Sequence, residues 1–144
     1  MVPERINRYL LGLHYTFLRQ ARTHLTPNGQ VLLNFGLHVP LDIVEALFAS
    51  TGYTSQVVVF GLTFQTKPFD TIAQYAKYES KGIAFAFYPY GPALKQVLGK
   101  EIPDVTELVH TLEPWRMSAT AALHWLRKGE RMGHIVVVLA GKRA

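Results

Sequence analysis

Leu25-Thr26-Pro27-Asn28-Gly29-Gln30-Val31-Leu32-Leu33-Asn34-Phe35-Gly36 decides how the rest of the chain is read. Pro27-Asn28-Gly29 is turn chemistry, and the apolar run from Val31 with Phe35 predicts a short strand covered on both faces. Asn34 and Gly36 close that strand, a polar amide and a residue without a side chain at the end where open α/β sheets bind ligands. A hydrogen bond from Asn34 to the next loop, and a plain turn at Gly36, are the structural readings of the same two residues. Such a phrase normally lies deep inside an open α/β domain. Here a single amphipathic helix precedes it, with apolar positions Ile6, Leu10, Leu13, Phe17, Leu18, Ala21 and Leu25 recurring every three or four residues from Pro3 onward. The chain therefore reads as a fold entered halfway.

Downstream, Pro40 opens a second helix with Leu41, Ile43, Val44, Leu47 and Phe48 inward and Gly52 as its stop. Val57 to Phe64 predicts a strand interrupted at Gly61, where a bulge or a close backbone approach is expected. A third helix is expected from Asp70, read as its N-cap, through Tyr78 to Gly82. Ile83-Ala84-Phe85-Ala86-Phe87-Tyr88 reads as an aromatic-rich strand ended by Pro89-Tyr90-Gly91-Pro92. Short helices are expected at residues 93–98 and 105–112, then a helix capped by Ser118 and stopped by Gly129, and a last strand over Ile135 to Leu139. The pattern is α/β, with about four strands and flanking helices in a single domain.

Composition narrows the function classes. The chain has 144 residues, 49% of them hydrophobic, enough for one globular core. It has no cysteine, which excludes disulfide frameworks, thiolate catalysis and cysteine-based metal sites. No apolar run approaches the ~20 residues of a membrane span and no signal core follows the N-terminus, so a cytoplasmic location is expected. The net charge of +5 is concentrated in the second half, with Arg127, Lys128, Arg131, Lys142 and Arg143 near the end. Solvated helix-end and tail charge explains that cluster, and no reading motif indicates nucleic acid. The six histidines are scattered without a His-x-x-x-His pair, so no metal site is expected. Serine-hydrolase elbow, Walker loop and dinucleotide fingerprint are all missing. Gln65, Asp70 and Glu79 bracket the loop and third helix, and Tyr90 and Trp115 are the aromatic residues retained as pocket candidates.

From Leu25 to Tyr53, the order helix, Thr-Pro-Asn-Gly, strand, Asn-Phe-Gly, helix, Leu-Phe and Gly-Tyr resembles the later half of class I S-adenosylmethionine-dependent methyltransferases. Gln65, Asp70-Thr71-Ile72, Glu79 and Phe85-Ala86-Phe87-Tyr88 resemble the corresponding stretch of the methyltransferase domain in methionine S-methyltransferase and its bacterial relatives. Ser118-Ala119-Thr120-Ala121 and Gly133-His134 with the strand after it are similar to that family's closing segments. The likeness covers most of residues 9–88 and 117–139 and leaves 89–116 unmatched. Two departures stand out: the family's Gly-Gly-Arg-Pro-Gly-Gln loop is replaced by Gly36-Leu37-His38-Val39-Pro40-Leu41, and the second aspartate after Asp70-Thr71 is missing. The glycine-rich loop, the acid ending the second strand and the Asn-Pro-Pro-Tyr of the family's first four strands have no counterpart in these residues.

The resemblance implies a Rossmann-like sheet, C-terminal half, lacking the N-terminal cofactor-binding strands. It implies S-adenosyl-L-methionine as cofactor, Asn34, Gly36 and His38 on the cofactor side, and Gln65, Asp70 and Tyr88 nearer a small-molecule acceptor. Methyl transfer rests mainly on alignment and exclusion of water, so the lack of an acid–base constellation is no objection. The strand at Val31 to Phe35 would have a bare edge, and a bare apolar edge invites another chain. A homodimer, or a complex with a separate amino-terminal half paired at residues 31–35, is therefore expected, with no activity from this chain alone. The alternative is a non-catalytic, methyltransferase-derived binding or assembly module acting through that edge.

Overall fold

A computed structural model describes all 144 residues. In chain order the elements are α1 (Glu4–Asn7), α2 (Gly12–Arg22), β1 (Gln30–Gly36), α3 (Leu41–Ser50), β2 (Tyr53–Phe64), α4 (Pro68–Glu79), β3 (Tyr88–Pro89), α5 (Tyr90–Val97), α6 (Val105–Leu112), a 3-10 turn (Glu113–Trp115), α7 (Ala119–Arg127) and β4 (Met132–Arg143). No helix is long and apolar enough to cross a membrane.

The last strand is the centre of the sheet. Its order is β1-β4-β2, with the two-residue β3 also paired to β4. Leu37 N–H donates to Ile135 C=O at 2.6 Å, and a Cβ on Gly141 would lie against Val31, so β1 and β4 run antiparallel with Leu37 opposite Ile135 and Val31 opposite Gly141. Ala144 N–H donates to Gly52 C=O and Gln65 N–H to Met132 C=O, so β2 is antiparallel to β4 as well. Both outer strands oppose β4, hence β1 and β2 are parallel to each other, joined by the crossover helix α3. Between those two bonds β2 contains one residue more than β4, the signature of a bulge. Gly61 lies within β2, and a side chain there would meet nothing within 4 Å, so it marks no close approach.

Contacts divide the chain into two compact units. The first contains residues 1–35, 39–59 and 137–144. Its core forms because α3 presents Val44, Leu47 and Phe48, all fully buried, at helical spacing. Phe48 meets Phe35 of β1 edge-on at 6.0 Å and Tyr53 of β2 at 6.1 Å. Gly141 makes room for it: a Cβ there would stand 2.7 Å from the Phe48 ring. The Tyr53 hydroxyl donates to the Leu18 carbonyl of α2 at 2.6 Å. Burying one such aromatic side chain contributes roughly 1.5–3 kcal/mol.

The second unit contains residues 36–38 and 60–136. Here α4 packs on α7, whose Ala119 and Ala122 are fully buried and permit close approach, while Ile72, Phe87, Leu112, Met132 and Ile135 fill the core.

The structure corrects several expectations. The first helix is not continuous: Leu10 takes a positive φ of 65° and separates α1 from α2, which leaves Leu10, Leu13 and Phe17 exposed and buries Leu11 instead. β1 is not covered on both faces. Val31 and Phe35 are buried, but Leu32 is 60% exposed and Asn34 also faces solvent, the alternation of a half-buried strand. Asp70 is not an N-cap: α4 begins at Pro68 with Lys67 before it, placing Asp70 inside the first turn. Residues 83–88 form no long strand, because their backbone groups are bonded elsewhere. Phe85 N–H goes to Glu79, Ala86 N–H to His38 C=O, and Phe87 bonds both ways with Met117. Pro89 leads directly into α5, which starts at Tyr90.

Candidate functional site

The carboxyl ends of the parallel strands β1 and β2 lie within the second unit, where Gly36–His38 and Gln65–Asp70 follow them. Ligands of α/β sheets bind at such ends. Two features occupy this region: a nest of packed rings and an open cavity.

The nest is built around His38. Its ring lies 4.5 Å from Tyr75 of α4, stacks on Phe87 at 5.9 Å and meets His134 of β4 at right angles, 5.4 Å away. Phe85 closes it against Tyr75 at 4.6 Å. Gly36 is required by this packing, since a Cβ there would stand 2.5 Å from His38 Nδ1 and 3.1 Å from His134. Burial and the neighbouring His134 press His38 down to about pKa 3, and burial lowers His134 too. The Nδ1 atoms of both histidines are buried without a hydrogen-bond partner. Both imidazoles are therefore neutral near pH 7, and their rings pack with the aromatic side chains around them. No group of three or more His, Cys, Asp or Glu side chains is placed to hold a metal ion.

The cavity, of about 550 Å³, opens at the carboxyl end of β2. Phe64 and Gln65 end the strand, Pro68 and Phe69 start α4, and Leu126, Arg127, Gly129, Glu130, Arg131 and Met132 come from the end of α7 and the start of β4. Its size falls in the range of about 300–1,000 Å³ usual for small-molecule sites. A larger depression of about 800 Å³ lies on the first unit, along one face of α2 and beside the first residues. It is remote in the chain from the strand ends, and its polar lining, Thr16, Arg19, Gln20, Thr23 and His24, comes from α2 and the turn after it.

Of the six residues singled out by resemblance, Asn34 stands exposed on β1, and Gly36 and His38 belong to the nest. Gln65 lines the cavity. Asp70 is exposed on α4, beside Phe69 of the cavity wall. Tyr88 is 2% exposed and its hydroxyl is pushed up to about 12, first by burial and then by the Glu113 carboxylate, with Arg116 opposing. Tyr90 rests on Phe64 at 5.7 Å behind the cavity, and neither it nor Trp115 lines the wall.

Glu79 has the role that sequence spacing assigned to Asp70, on a different helix. Its carboxylate accepts the N–H groups of Ala119 and Thr120 and the Thr120 hydroxyl, each at 2.8 Å, and Phe85 N–H at 3.3 Å. It caps α7 from α4, together with Ser118, whose hydroxyl accepts Ala121 N–H. Only the Thr120 and Ser118 side chains near a helix start signalled this in the sequence. The arginines and aromatic residues of the cavity were missed because they converge from three separate segments.

No protein-family model matches the chain, and no curated protein is significantly similar to it.

Proposed function

We propose that this chain is the carboxyl-terminal half of a Rossmann-like, class I methyltransferase domain, contributing the acceptor side of a site for S-adenosyl-L-methionine-dependent methyl transfer to a small molecule. The observation that carries the reading is the state of β1. Leu37 pairs with Ile135, so in this antiparallel ladder the N–H and C=O groups of Leu32 and Asn34 point away from β4, toward an edge with no neighbouring strand. A parallel crossover β1-α3-β2 with such an edge suits a sheet that continues through strands supplied by another polypeptide segment.

The cofactor fits these residues poorly on their own. Gly36 gives its free space to His38 and His134, and His38 is turned into the nest, which leaves Asn34 as the exposed group on that side. Holding the cofactor thus falls to the other half, and no chemical step is assigned to this chain's residues through it. What this chain supplies is the cavity beside Gln65, an apolar wall that orients an acceptor and excludes water.

A second reading, a binding or assembly module without catalysis, draws on the same edge and on the exposed Leu13 and Phe17 of α2. Calorimetric titration with S-adenosylmethionine separates the two. The chain alone should show no tight binding, and binding should appear when a glycine-rich amino-terminal half is added. Tight binding by this chain alone would overturn the proposal, and no binding with that half present would favour the assembly module.

A further inference from the structure

We infer that the cavity at the end of β2 takes a flat, apolar anion, of which an aromatic carboxylate is the simplest example. The wall is apolar: Phe64, Pro68, Phe69, Leu126 and Met132 line it, and Phe64 and Phe69 remain 49% and 54% exposed. Two aromatic residues left in water at one opening form a surface that a flat ring covers with gain of hydrophobic energy.

The rim is cationic. Arg127 and Arg131 both line the cavity, and neither takes part in an ion pair of the structure. Guanidinium forks match a carboxylate with two parallel hydrogen bonds. Two features oppose an anion, and each is contained. Glu130 stands on the same rim, leaving one net positive charge among the lining residues. The carbonyl end of α7 is tied off locally, since Gly129 N–H donates to Leu126 C=O and Glu130 N–H to Trp125 C=O, with Gly129 at φ 92°. Gln65 adds a neutral amide donor to the wall.

That such a ligand is the methyl acceptor rests on the function proposed above; that the cavity binds it does not. The test is an amide-resolved NMR titration of the full chain with three probes of one shape: 2-naphthoate, 2-naphthalenemethanol and 2-naphthylmethylammonium. Naphthoate should shift the amides of Gln65, Phe69 and Gly129 saturably, about tenfold more tightly than the alcohol, as expected for one charge-assisted pair. The ammonium should not bind. Arg127→Gln with Arg131→Gln, both exposed side chains, should remove the preference for naphthoate and leave the alcohol unchanged. Phe69→Ser should weaken naphthoate and the alcohol alike. Absence of saturable shifts at those amides, equal affinity for naphthoate and alcohol, or an unchanged preference in the double arginine variant would each overturn the inference. Failure here leaves cofactor binding by a completed domain untouched, and failure of that cofactor binding leaves this titration untouched.

Discussion

Glu79 and Thr120 meet through a single oxygen: Oε1 of the glutamate accepts both the backbone N–H and the hydroxyl of Thr120, each at 2.8 Å. The second oxygen takes Ala119 N–H and Phe85 N–H. One carboxylate thus joins the end of α4, the start of α7 and the segment entering β3. Glu79→Ala should cost about 2–4 kcal/mol in urea unfolding, because a charged acceptor and its favourable place at a helix N-terminus are lost together. Glu79→Gln should cost less, keeping one oxygen for Thr120. Equal stability of Glu79→Ala and the parent chain would refute this role.

Acid should unfold the protein earlier than its histidine content alone suggests. His38 is held near 3 and His14 and His134 are also lowered, all through burial, against about 6.5 in the unfolded chain. Between those values the unfolded chain binds more protons, so this stability is fully present above pH 6.5 and is lost as pH falls toward 3. The slope is at most about 1.4 kcal/mol per pH unit for each neutral imidazole. Urea midpoints measured across this window should fall with pH, and His38→Gln should flatten the dependence. A midpoint independent of pH there would contradict the buried, neutral state.

Gly36→Ala should destabilise by about 1–3 kcal/mol, since its methyl group has to displace the His38 ring from between Tyr75 and Phe87. In a His38→Ala background the same change should cost much less, a coupling measurable by a double-mutant cycle. Additive effects would show that Gly36 answers to something other than the nest.

Much of the architecture was legible in the sequence, and the reasons are local. Ser118 before Ala119 and Gly129 after Arg127 bounded α7, and Pro40 and Gly52 bounded α3, because caps and stops act within one turn. What escaped was non-local. The aromatic run at residues 83–88 has strand composition, yet its partners are Glu79, His38 and Met117, which no periodicity reveals. Leu10 carries a left-handed backbone that breaks the first helix, and Gly12, where the second begins, is the one local sign of it. At the cavity, resemblance points to Gln65, whereas Arg127 and Arg131 read in the sequence as solvated charge, and only folding brings them to Phe64 and Phe69.

The outer edge of β1, where Leu32 and Asn34 turn their backbone groups away from β4, is on this proposal a joining surface. With no other strand supplied, that edge should pair with a second copy of the chain, and Leu32→Lys, which places a charge on an exposed edge position, should block the pairing. Sedimentation velocity over a wide concentration range measures this directly. The parent chain should associate as its concentration rises, and Leu32→Lys should remain a monomer. A parent chain that sediments as one stable monomer at every concentration would contradict the joining role of that edge.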